Sequence, residues 1–282
     1  MYLDYWHLNE KPFENVMDFR FLFAASSHEE CLARLSYAVM EKRGGAVLTG
    51  AAGIGKTTMR ELLFRRVRDE GEGKRHVCTI IHPLLDIAGI IQECLYQFGV
   101  KDIATAKPEL FRQFGAKMLD FGAKGEDILL AIDDAHMMSV DALQELKLLF
   151  NLQDDHQRQI LTMVLVGESD HSAGPALLPK LAEVPGLRQR LSIVVPMPLL
   201  TQAEIGQYIQ HRLKVAGGEG AVFTPAAVEE IHAFTQGNPR ETNNVCDLAL
   251  LIGFSERLAR VDAELVKRVV EDVSSQFKLE AR

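Results

Sequence analysis

Short apolar runs recur along the first two thirds of this chain, and segments with helical spacing separate them. The runs cover residues 46–49, 77–81, 128–132, 161–166 and 193–195. Short apolar runs bounded by turn residues are typical of buried strands. Apolar residues at helical spacing predict helices over 56–70, 87–98, 108–121 and 140–150. This alternation predicts a parallel sheet covered by helices on both faces.

The pattern changes near residue 198, after which the strand signal disappears. Helical spacing continues over residues 203–215, 225–235, 240–258 and 263–277. The first ~25 residues carry many aromatic rings without periodicity, which indicates an arm that packs on the protein rather than a free tail. Ser27 and Glu30 have the spacing of a capping box, so a helix is expected to begin there. The chain therefore divides into residues 1–42 (arm and first helix), 43–198 (α/β core) and 199–282 (helical domain).

The amino-acid composition indicates which broad classes of protein are compatible with this chain. Of the 282 residues 47% are hydrophobic, which is enough for a sizeable core. The 39 acidic and 31 basic residues give a net charge of -8, which argues against coating nucleic acid by charge alone. No apolar run approaches the ~20 residues that span a bilayer, and the N-terminus lacks signal-peptide order, so we expect a cytoplasmic protein. Neither the four cysteines nor the nine histidines show metal-ligand spacing, and we expect the cysteines to be buried thiols.

The strongest chemical signal follows the first apolar run. Residues 50–57 match the phosphate-binding pattern G-x-x-x-x-G-K-[ST] without a mismatch, between a predicted strand and a predicted helix. Glycines let backbone N–H groups turn toward phosphates, and the helix N-terminus adds partial positive charge. Lys56 would neutralise the β- and γ-phosphates of ATP, and the Thr57 hydroxyl would hold Mg²⁺. The predicted nucleotide-binding residues here are Gly50, Ala51, Ala52, Gly53, Ile54, Gly55, Lys56, Thr57 and Thr58.

Two adjacent carboxylates, Asp133 and Asp134, end the third apolar run. Ligands bind at the carboxyl ends of parallel strands, so this strand would deliver both side chains to the same edge as the phosphate loop. Asp133 would act on Mg²⁺ through water, and Asp134 would polarise the attacking water. The alternative is a solvated strand end without a ligand.

Taken together, these segments resemble the AAA+ ATPases of the ExeA/GspA secretion type, which include pilus-associated MshM proteins. The likeness covers nearly the whole chain. Besides the loop, it rests on Y-W-H-L-N-E-K-P-F at 5–13, D-D-A-H at 133–136, L-R-Q-R-L at 187–191 and G-N-P-R at 237–240. It implies an α/β P-loop NTPase fold, an αβα sandwich with a parallel sheet, followed by a C-terminal all-helical lid domain. Transposition regulators of the MuB and TnsC type share much of this core.

The resemblance also implies roles for residues outside the loop. Arg190, or Arg188, would be the arginine finger that reaches the nucleotide of a neighbouring subunit, with a surface cation as the alternative. Arg240 would be a second sensor that draws the lid onto the γ-phosphate, with an ordinary exposed helix arginine as the alternative. The arm residues expected near the adenine are Lys11, Pro12 and Phe13, although packing alone explains Phe13 equally well.

Two positions depart from the family's pattern. Asp134 stands where the family has glutamate, and the missing methylene pulls the carboxylate back by roughly an ångström, an error that can cost ~100-fold in rate. We therefore expect slow hydrolysis, suited to a switch or an assembly factor. Glu168 stands where the family tends to have glutamine, so its role as first sensor is open, although a carboxylate there could still orient water. Asn151 is a further candidate for assisting it.

Three functions remain open from the sequence. The acidic balance and the arm favour an ATPase that supports a cell-envelope secretion, pilus or polysaccharide-export machine at the inner membrane. The alternative is a DNA-binding transposition regulator. A basic cluster at Arg65, Arg66, Arg68, Lys74 and Arg75 could contact DNA phosphates or anionic lipid, although interleaved acids favour a solvated helix end. A scaffold that binds ATP without turnover is the third. Each implies ATP, Mg²⁺ and a nucleotide-dependent homo-oligomer.

Overall fold

The computed structural model describes residues 2–70, 75–150, 159–169 and 176–280, which form two compact units. The sheet unit consists of Ser27–Ala52 and Lys56–Met197. The helical unit consists of Met1–Ser26, Gly53–Gly55 and Pro198–Arg282. Each unit has its own hydrophobic core. The arm and the first helix, grouped above as residues 1–42, thus lie in different units.

Both predicted types of secondary structure are present in the predicted order. The strands are β1 (Gly45–Gly50), β2 (Arg75–Ile80), β3 (Asp127–Ile132), β4 (Leu161–Glu168) and β5 (Leu191–Pro196). The helices are α1 (Tyr2–Tyr5), α2 (Ser26–Met40), α3 (Lys56–Glu70), α4 (Ile87–Gln97), α5 (Lys107–Ala123), α6 (Val140–Leu149), α7 (Leu177–Ala182), α8 (Pro185–Arg188), α9 (Gln202–Val215), α10 (Pro225–Thr235), α11 (Pro239–Ser255) and α12 (Ala263–Glu280). The predicted fold class, a parallel α/β sheet followed by a helical domain, is confirmed.

The sheet is buried on both faces, as β3 illustrates. Ile128, Leu130 and Ile132 belong to the main core cluster, which also receives side chains from α4, α5 and α6. Leu129 and Ala131 are buried as well but lie outside that cluster. Since successive side chains of a strand point to opposite faces, both faces of β3 are covered. This is why its sequence is a continuous apolar run rather than an alternating one.

Strand order places the chemistry at one edge of the sheet. The order is β2-β3-β4-β1-β5, and every pair is parallel. The carboxyl ends of β3, β4 and β1 are therefore neighbours, although these strands are far apart in sequence. The residues that follow or end these strands, Asp133, Glu168 and Gly50, share that edge.

The aromatic arm contributes to the core of the helical unit. Trp6 is 6% exposed, and its ring N–H donates a hydrogen bond to the carbonyl oxygen of Leu250 over 2.9 Å. Phe13 is 2% exposed and meets Phe223 edge to face, with ring centroids 6.0 Å apart. Burial of these rings agrees with the prediction of a packed arm.

A buried arginine ties the arm to α9. The guanidinium of Arg212 donates to the carbonyl oxygens of Pro12 and Glu14, the latter over 3.0 Å. It also donates to the Tyr208 hydroxyl over 2.9 Å and lies over the ring of Phe21 at 5.1 Å. These contacts satisfy backbone carbonyls of an irregular segment that has no helix or strand partner of its own.

Some local predictions are wrong or incomplete. The first long helix begins at Ser26, and the Ser27 hydroxyl is buried without a hydrogen-bond partner among the described residues, so the predicted capping box does not form. The short helices α7 and α8 were not predicted, because helices of four to six residues leave little periodic signal. All four cysteines are free and buried, as predicted.

The turn between α10 and α11 requires a glycine. Gly237 has a φ of 85°, and a Cβ built there would clash with the carbonyl oxygen of Leu200, whose N–H donates to the Gly237 carbonyl over 3.0 Å. We expect Gly237→Ala to lower the free energy of unfolding by about 3 kcal/mol or more, because backbone strain adds to overpacking. Urea unfolding measures this loss.

Gly220→Ala is the matched control. Gly220 has a φ of 93° in the same unit, but a Cβ built there would meet nothing within 4 Å. It should cost only about 1 kcal/mol, from backbone strain alone. Equal losses in the two variants would show that the clash with Leu200 contributes nothing.

Candidate nucleotide-binding site

The loop between β1 and α3 has the backbone that its sequence predicts. Gly53 and Gly55 have φ values of 77° and 101°, which glycine adopts without strain. Lys56 begins α3 and is 8% exposed. Its ammonium donates to the carbonyl oxygens of Gly50 and Ala51 over 3.0 and 2.8 Å. The loop therefore holds a cation at the N-terminus of a helix, where anions bind.

Asp133 connects this loop to the neighbouring part of the sheet. It follows β3 and is 7% exposed, and its N–H donates to the Ile80 carbonyl of β2 over 2.9 Å. Its Oδ2 accepts a hydrogen bond from the Thr57 hydroxyl over 3.0 Å. Its Oδ1 accepts from the N–H of Asp134 over 3.2 Å. The two residues predicted to act on Mg²⁺, Thr57 and Asp133, are thus in direct contact.

Sequence reasoning missed Arg60, which lies in the same cluster. Arg60 is 5% exposed, and its Nη1 lies 2.8 Å from Oδ2 of Asp133. Its Nη2 lies 2.7 Å from Oε1 of Glu61, and its guanidinium is 5.6 Å from the centre of the Phe64 ring. Thr57 and Arg60 are three residues apart, which places both on one face of α3. The spacing alone does not distinguish Arg60 from other basic residues of the helix; its contact with Asp133 does.

Asp134 has an unusual backbone conformation. Its φ of 47° and ψ of 35° are left-handed, and its side chain is 59% exposed. Aspartate is among the few residues other than glycine that adopt this region readily. The sharp turn separates the side chains of Asp133 and Asp134, so only the second carboxylate is exposed to solvent.

His136 ends the D-D-A-H motif, although the sequence predicted no role for it. It is 4% exposed, and its Nδ1 accepts a hydrogen bond from the N–H of Glu168 over 3.3 Å. A neutral ring with this acceptor carries its proton on Nε2, which lies 3.9 Å from Oε2 of Glu168. Lys180 fixes the turn by donating to the carbonyl oxygens of His136 and Met138 over 2.5 and 2.7 Å. Burial lowers the pKa of the Lys180 ammonium.

Glu168 ends β4 beside the phosphate loop. It lies opposite Gly50 in the β1–β4 register, and the N–H of Ser169 donates to the Gly50 carbonyl over 3.2 Å. Glu168 is 7% exposed, and its Oε2 is buried without a hydrogen-bond partner among the described residues. A buried carboxylate oxygen of this kind is costly unless water or a ligand pairs with it.

The predicted arginines are exposed. Arg188 ends α8, and Arg190 follows it. Nη1 of Arg190 donates to the Phe150 carbonyl over 3.3 Å, and the guanidinium lies 5.8 Å from the centre of the Phe150 ring. These contacts orient Arg190 without burying its charge. Its assignment as an arginine finger stays a prediction, as does that of Arg188.

Arg240 lies in the first turn of α11 in the helical unit. Its N–H donates to the side-chain oxygen of Asn238, the N-cap of that helix, over 3.1 Å. The same unit includes the loop tip, and a Cβ built on Gly53 would lie 2.8 Å from the Cβ of Arg240. The side chain of Arg240 is exposed, which is compatible with a phosphate partner.

Each of the three arm residues expected near adenine has a contact within the protein. Phe13 is buried against Phe223, as described above, so its packing needs no ligand. The Pro12 carbonyl accepts from Arg212, and Lys11 lies 3.4 Å from the carboxylate of Glu14. The adenine assignment stays a prediction for all three residues. Asn151 and Lys74 lie outside the described residues.

Comparison with known proteins agrees with this geometry. Residues 39–172 match the family described as AAA domain. This part of the chain resembles an AAA domain. It is 28% identical to General secretion pathway protein A of Aeromonas hydrophila over 283 residues, covering 98% of this chain and 50% of that protein. The chain therefore spans about half the length of the curated relative that it matches. The predicted resemblance to ExeA/GspA-type AAA+ ATPases is confirmed.

Solved structures show the same fold at low identity. Cdc6p from Pyrobaculum aerophilum has a TM-score of 0.70 at 15% identity, covering 92% of this chain and 71% of that one. The ORC2 protein from Aeropyrum pernix has a TM-score of 0.66 at 15% identity, covering 93% and 71%. The RuvB branch migration motor from Thermotoga maritima has a TM-score of 0.55 at 17% identity, covering 93% and 73%. At this level of identity, the structural similarity shows the fold and does not indicate a function.

The donor set fits ATP with Mg²⁺ better than a protein-held metal centre. The described residues contain no group of three or more histidine, cysteine, aspartate or glutamate side chains that would hold a metal ion. Mg²⁺ is commonly held by one or two protein oxygens together with substrate phosphates, and Thr57 and Asp133 provide that number. In the described part of the chain no helix has both the length and the hydropathy to cross a bilayer.

Proposed function

We propose that this chain binds ATP with Mg²⁺ and hydrolyses it slowly, as a nucleotide-dependent switch or assembly factor. The observation that carries the proposal is the 3.0 Å hydrogen bond between the Thr57 hydroxyl and the Asp133 carboxylate, at the end of a loop that also holds Lys56. A glycine turn without a ligand needs neither a buried lysine nor a buried carboxylate beside a hydroxyl. A P-loop ATPase needs all three.

Each residue has a distinct task in this proposal. Backbone N–H groups of the loop and the Lys56 ammonium bind the β- and γ-phosphates. Thr57 and Asp133 would hold Mg²⁺, which neutralises charge on the phosphates when it is bound. Asp134 orients the attacking water, since its carboxylate is the exposed one of the pair. Arg190 binds the nucleotide of a neighbouring subunit, and Arg240 responds to the γ-phosphate.

Slow turnover follows from Asp134. Its carboxylate is one methylene shorter than a glutamate, and the left-handed backbone at this residue fixes where the short side chain begins. A misplacement of about an ångström in a water-orienting group can lower the rate by ~100-fold. Slow hydrolysis suits a protein whose ATP-bound and ADP-bound states differ in assembly, rather than a fast motor.

The proposed biological setting rests on the similarity to General secretion pathway protein A. General secretion pathway protein A shares sequence with nearly all of this chain. We place this chain at a cell-envelope secretion, pilus or polysaccharide-export machine, in the cytoplasm or peripheral to the inner membrane. Its partners there would be a second copy of the chain and a component of the inner-membrane machine.

Mass photometry with and without ATP and Mg²⁺ tests the switch. The native protein should shift to larger assemblies with ATP, and Lys56→Ala should stay at its nucleotide-free mass. A phosphate-release assay run in parallel distinguishes slow turnover from a scaffold that binds ATP without hydrolysing it. Failure of the native protein to bind adenine nucleotides would refute the whole proposal.

The same samples test the alternative, a DNA-binding transposition regulator. ATP-dependent retention of duplex DNA that falls steeply with salt would favour it over the envelope role. We expect no such retention, because the net charge of -8 disfavours a phosphate-backbone interface.

A further inference from the structure

The carboxylate proposed to act on Mg²⁺ already has a cationic partner. Nη1 of Arg60 lies 2.8 Å from Oδ2 of Asp133, the same oxygen that accepts the Thr57 hydroxyl. The other oxygen accepts the N–H of Asp134. Both oxygens of Asp133 are thus paired within the protein, one of them with a full positive charge.

The burial of this pair makes it unlike a surface ion pair. The side chains of Arg60 and Asp133 are 6% and 10% exposed. Charges removed from water interact strongly and are little screened by salt. The guanidinium of Arg60 therefore compensates the charge of Asp133 within the protein. Nη2 of Arg60 lies 2.7 Å from Oε1 of Glu61, and this second ion pair fixes the orientation of the guanidinium.

We propose that Arg60 is a positioning residue that holds Asp133 against Thr57 without a metal ion and so reduces the dependence of nucleotide binding on Mg²⁺. The inference rests on the proposed ATP-binding function. A guanidinium 2.8 Å from Asp133 places a positive charge beside the carboxylate, and so does part of the electrostatic work of a divalent cation. It also repels a cation that approaches the same carboxylate. Both effects lower the gain in affinity that Mg²⁺ provides.

A purely structural role for Arg60 makes a different prediction. If the ion pair only stabilised the junction of α3 with the sheet, its loss would lower the stability of the protein. The ratio of nucleotide affinities with and without Mg²⁺ would then stay constant. That ratio is therefore the measurement that separates the two roles.

The experiment titrates a fluorescent ATP analogue into the full chain, in excess Mg²⁺ and in EDTA. The variant is Arg60→Gln, in which an amide can still donate to Asp133 but carries no charge. Arg65→Gln is the matched control, since it removes the same charge from an exposed position of α3. Circular dichroism and thermal melting establish that each variant is folded.

We expect removal of Mg²⁺ to weaken binding to the native protein by only about fivefold. Binding to Arg60→Gln should weaken by at least ~50-fold, as expected when a charge in a buried site is lost. Arg65→Gln should behave like the native protein. An unchanged ratio in folded Arg60→Gln, or an equal change in Arg65→Gln, would overturn the inference.

The native protein alone also decides the question if Arg60→Gln fails to fold. A loss of ~100-fold or more in native affinity on removing Mg²⁺ would overturn the inference, and a loss near fivefold would support it. Arg60→Lys, which keeps the charge, should retain the native ratio. Failure of the native protein to bind the analogue in Mg²⁺ would instead refute the proposed function, so the two failures are distinguishable.

Discussion

We expect Lys56→Ala to weaken ATP binding by at least ~100-fold while the protein stays folded, because charge-assisted bonds to phosphate are among the strongest in proteins. The Lys56 ammonium lies within the loop and donates to the carbonyl oxygens of Gly50 and Ala51. Phosphate oxygens at this position would compete for the same N–H donors. Truncation removes the cation but leaves the glycine backbone that shapes the loop.

Isothermal titration with ATP and excess Mg²⁺ measures this loss. Lys107→Ala is the control, since Lys107 is half-exposed and pairs with Glu145 on the surface of the same unit. It removes the same charge from the protein without touching the loop. Native-like affinity in Lys56→Ala would mean that the loop does not bind the triphosphate, whatever its sequence.

The strands and the phosphate loop were predictable from sequence because the physics that forms them is local or repetitive. A parallel strand buried on both faces requires an apolar run, and each of the five runs became a strand with shifts of one or two residues. Glycines at positive φ are needed wherever the loop turns its N–H groups inward. Neither inference required knowledge of which elements are neighbours.

The other contacts of the candidate site depend on which strands are neighbours in the sheet, and this order could not be predicted from the sequence. His136 and Glu168 are 32 residues apart and meet only because β3 and β4 are adjacent. Arg60 looks like one more basic residue of an amphipathic helix until Asp133 is placed beside it. The left-handed backbone of Asp134 is likewise set by the turn after β3 rather than by the local sequence.

Replacing Asp134 by Asn should lower the rate of ATP hydrolysis by ~100-fold or more, the usual contribution of a water-activating carboxylate. ATP affinity should change little, because the Asp134 side chain is largely exposed and takes no part in the hydrogen bond between Thr57 and Asp133. Phosphate release under saturating ATP measures the rate, and titration measures the affinity. A parallel loss of affinity would assign Asp134 to binding instead.

Asp134→Glu tests why hydrolysis is expected to be slow. The longer side chain recovers the missing reach, whereas glutamate tolerates the left-handed backbone less well than aspartate. We expect the gain in reach to prevail and turnover to rise above that of the native protein. Turnover no faster than native would count against the missing methylene as the cause of slow hydrolysis.

Glu168→Gln decides which carboxylate orients the water. Glu168 is longer than Asp134, is buried beside the loop, and has an oxygen without a partner among the described residues. Glutamine preserves the size of the side chain and leaves the backbone hydrogen bond to His136 in place, so we expect a smaller loss of turnover than in Asp134→Asn. If Glu168→Gln abolished hydrolysis while Asp134→Asn retained it, the active carboxylate would lie at the end of β4. The short, exposed Asp134 would then serve mainly to form the turn.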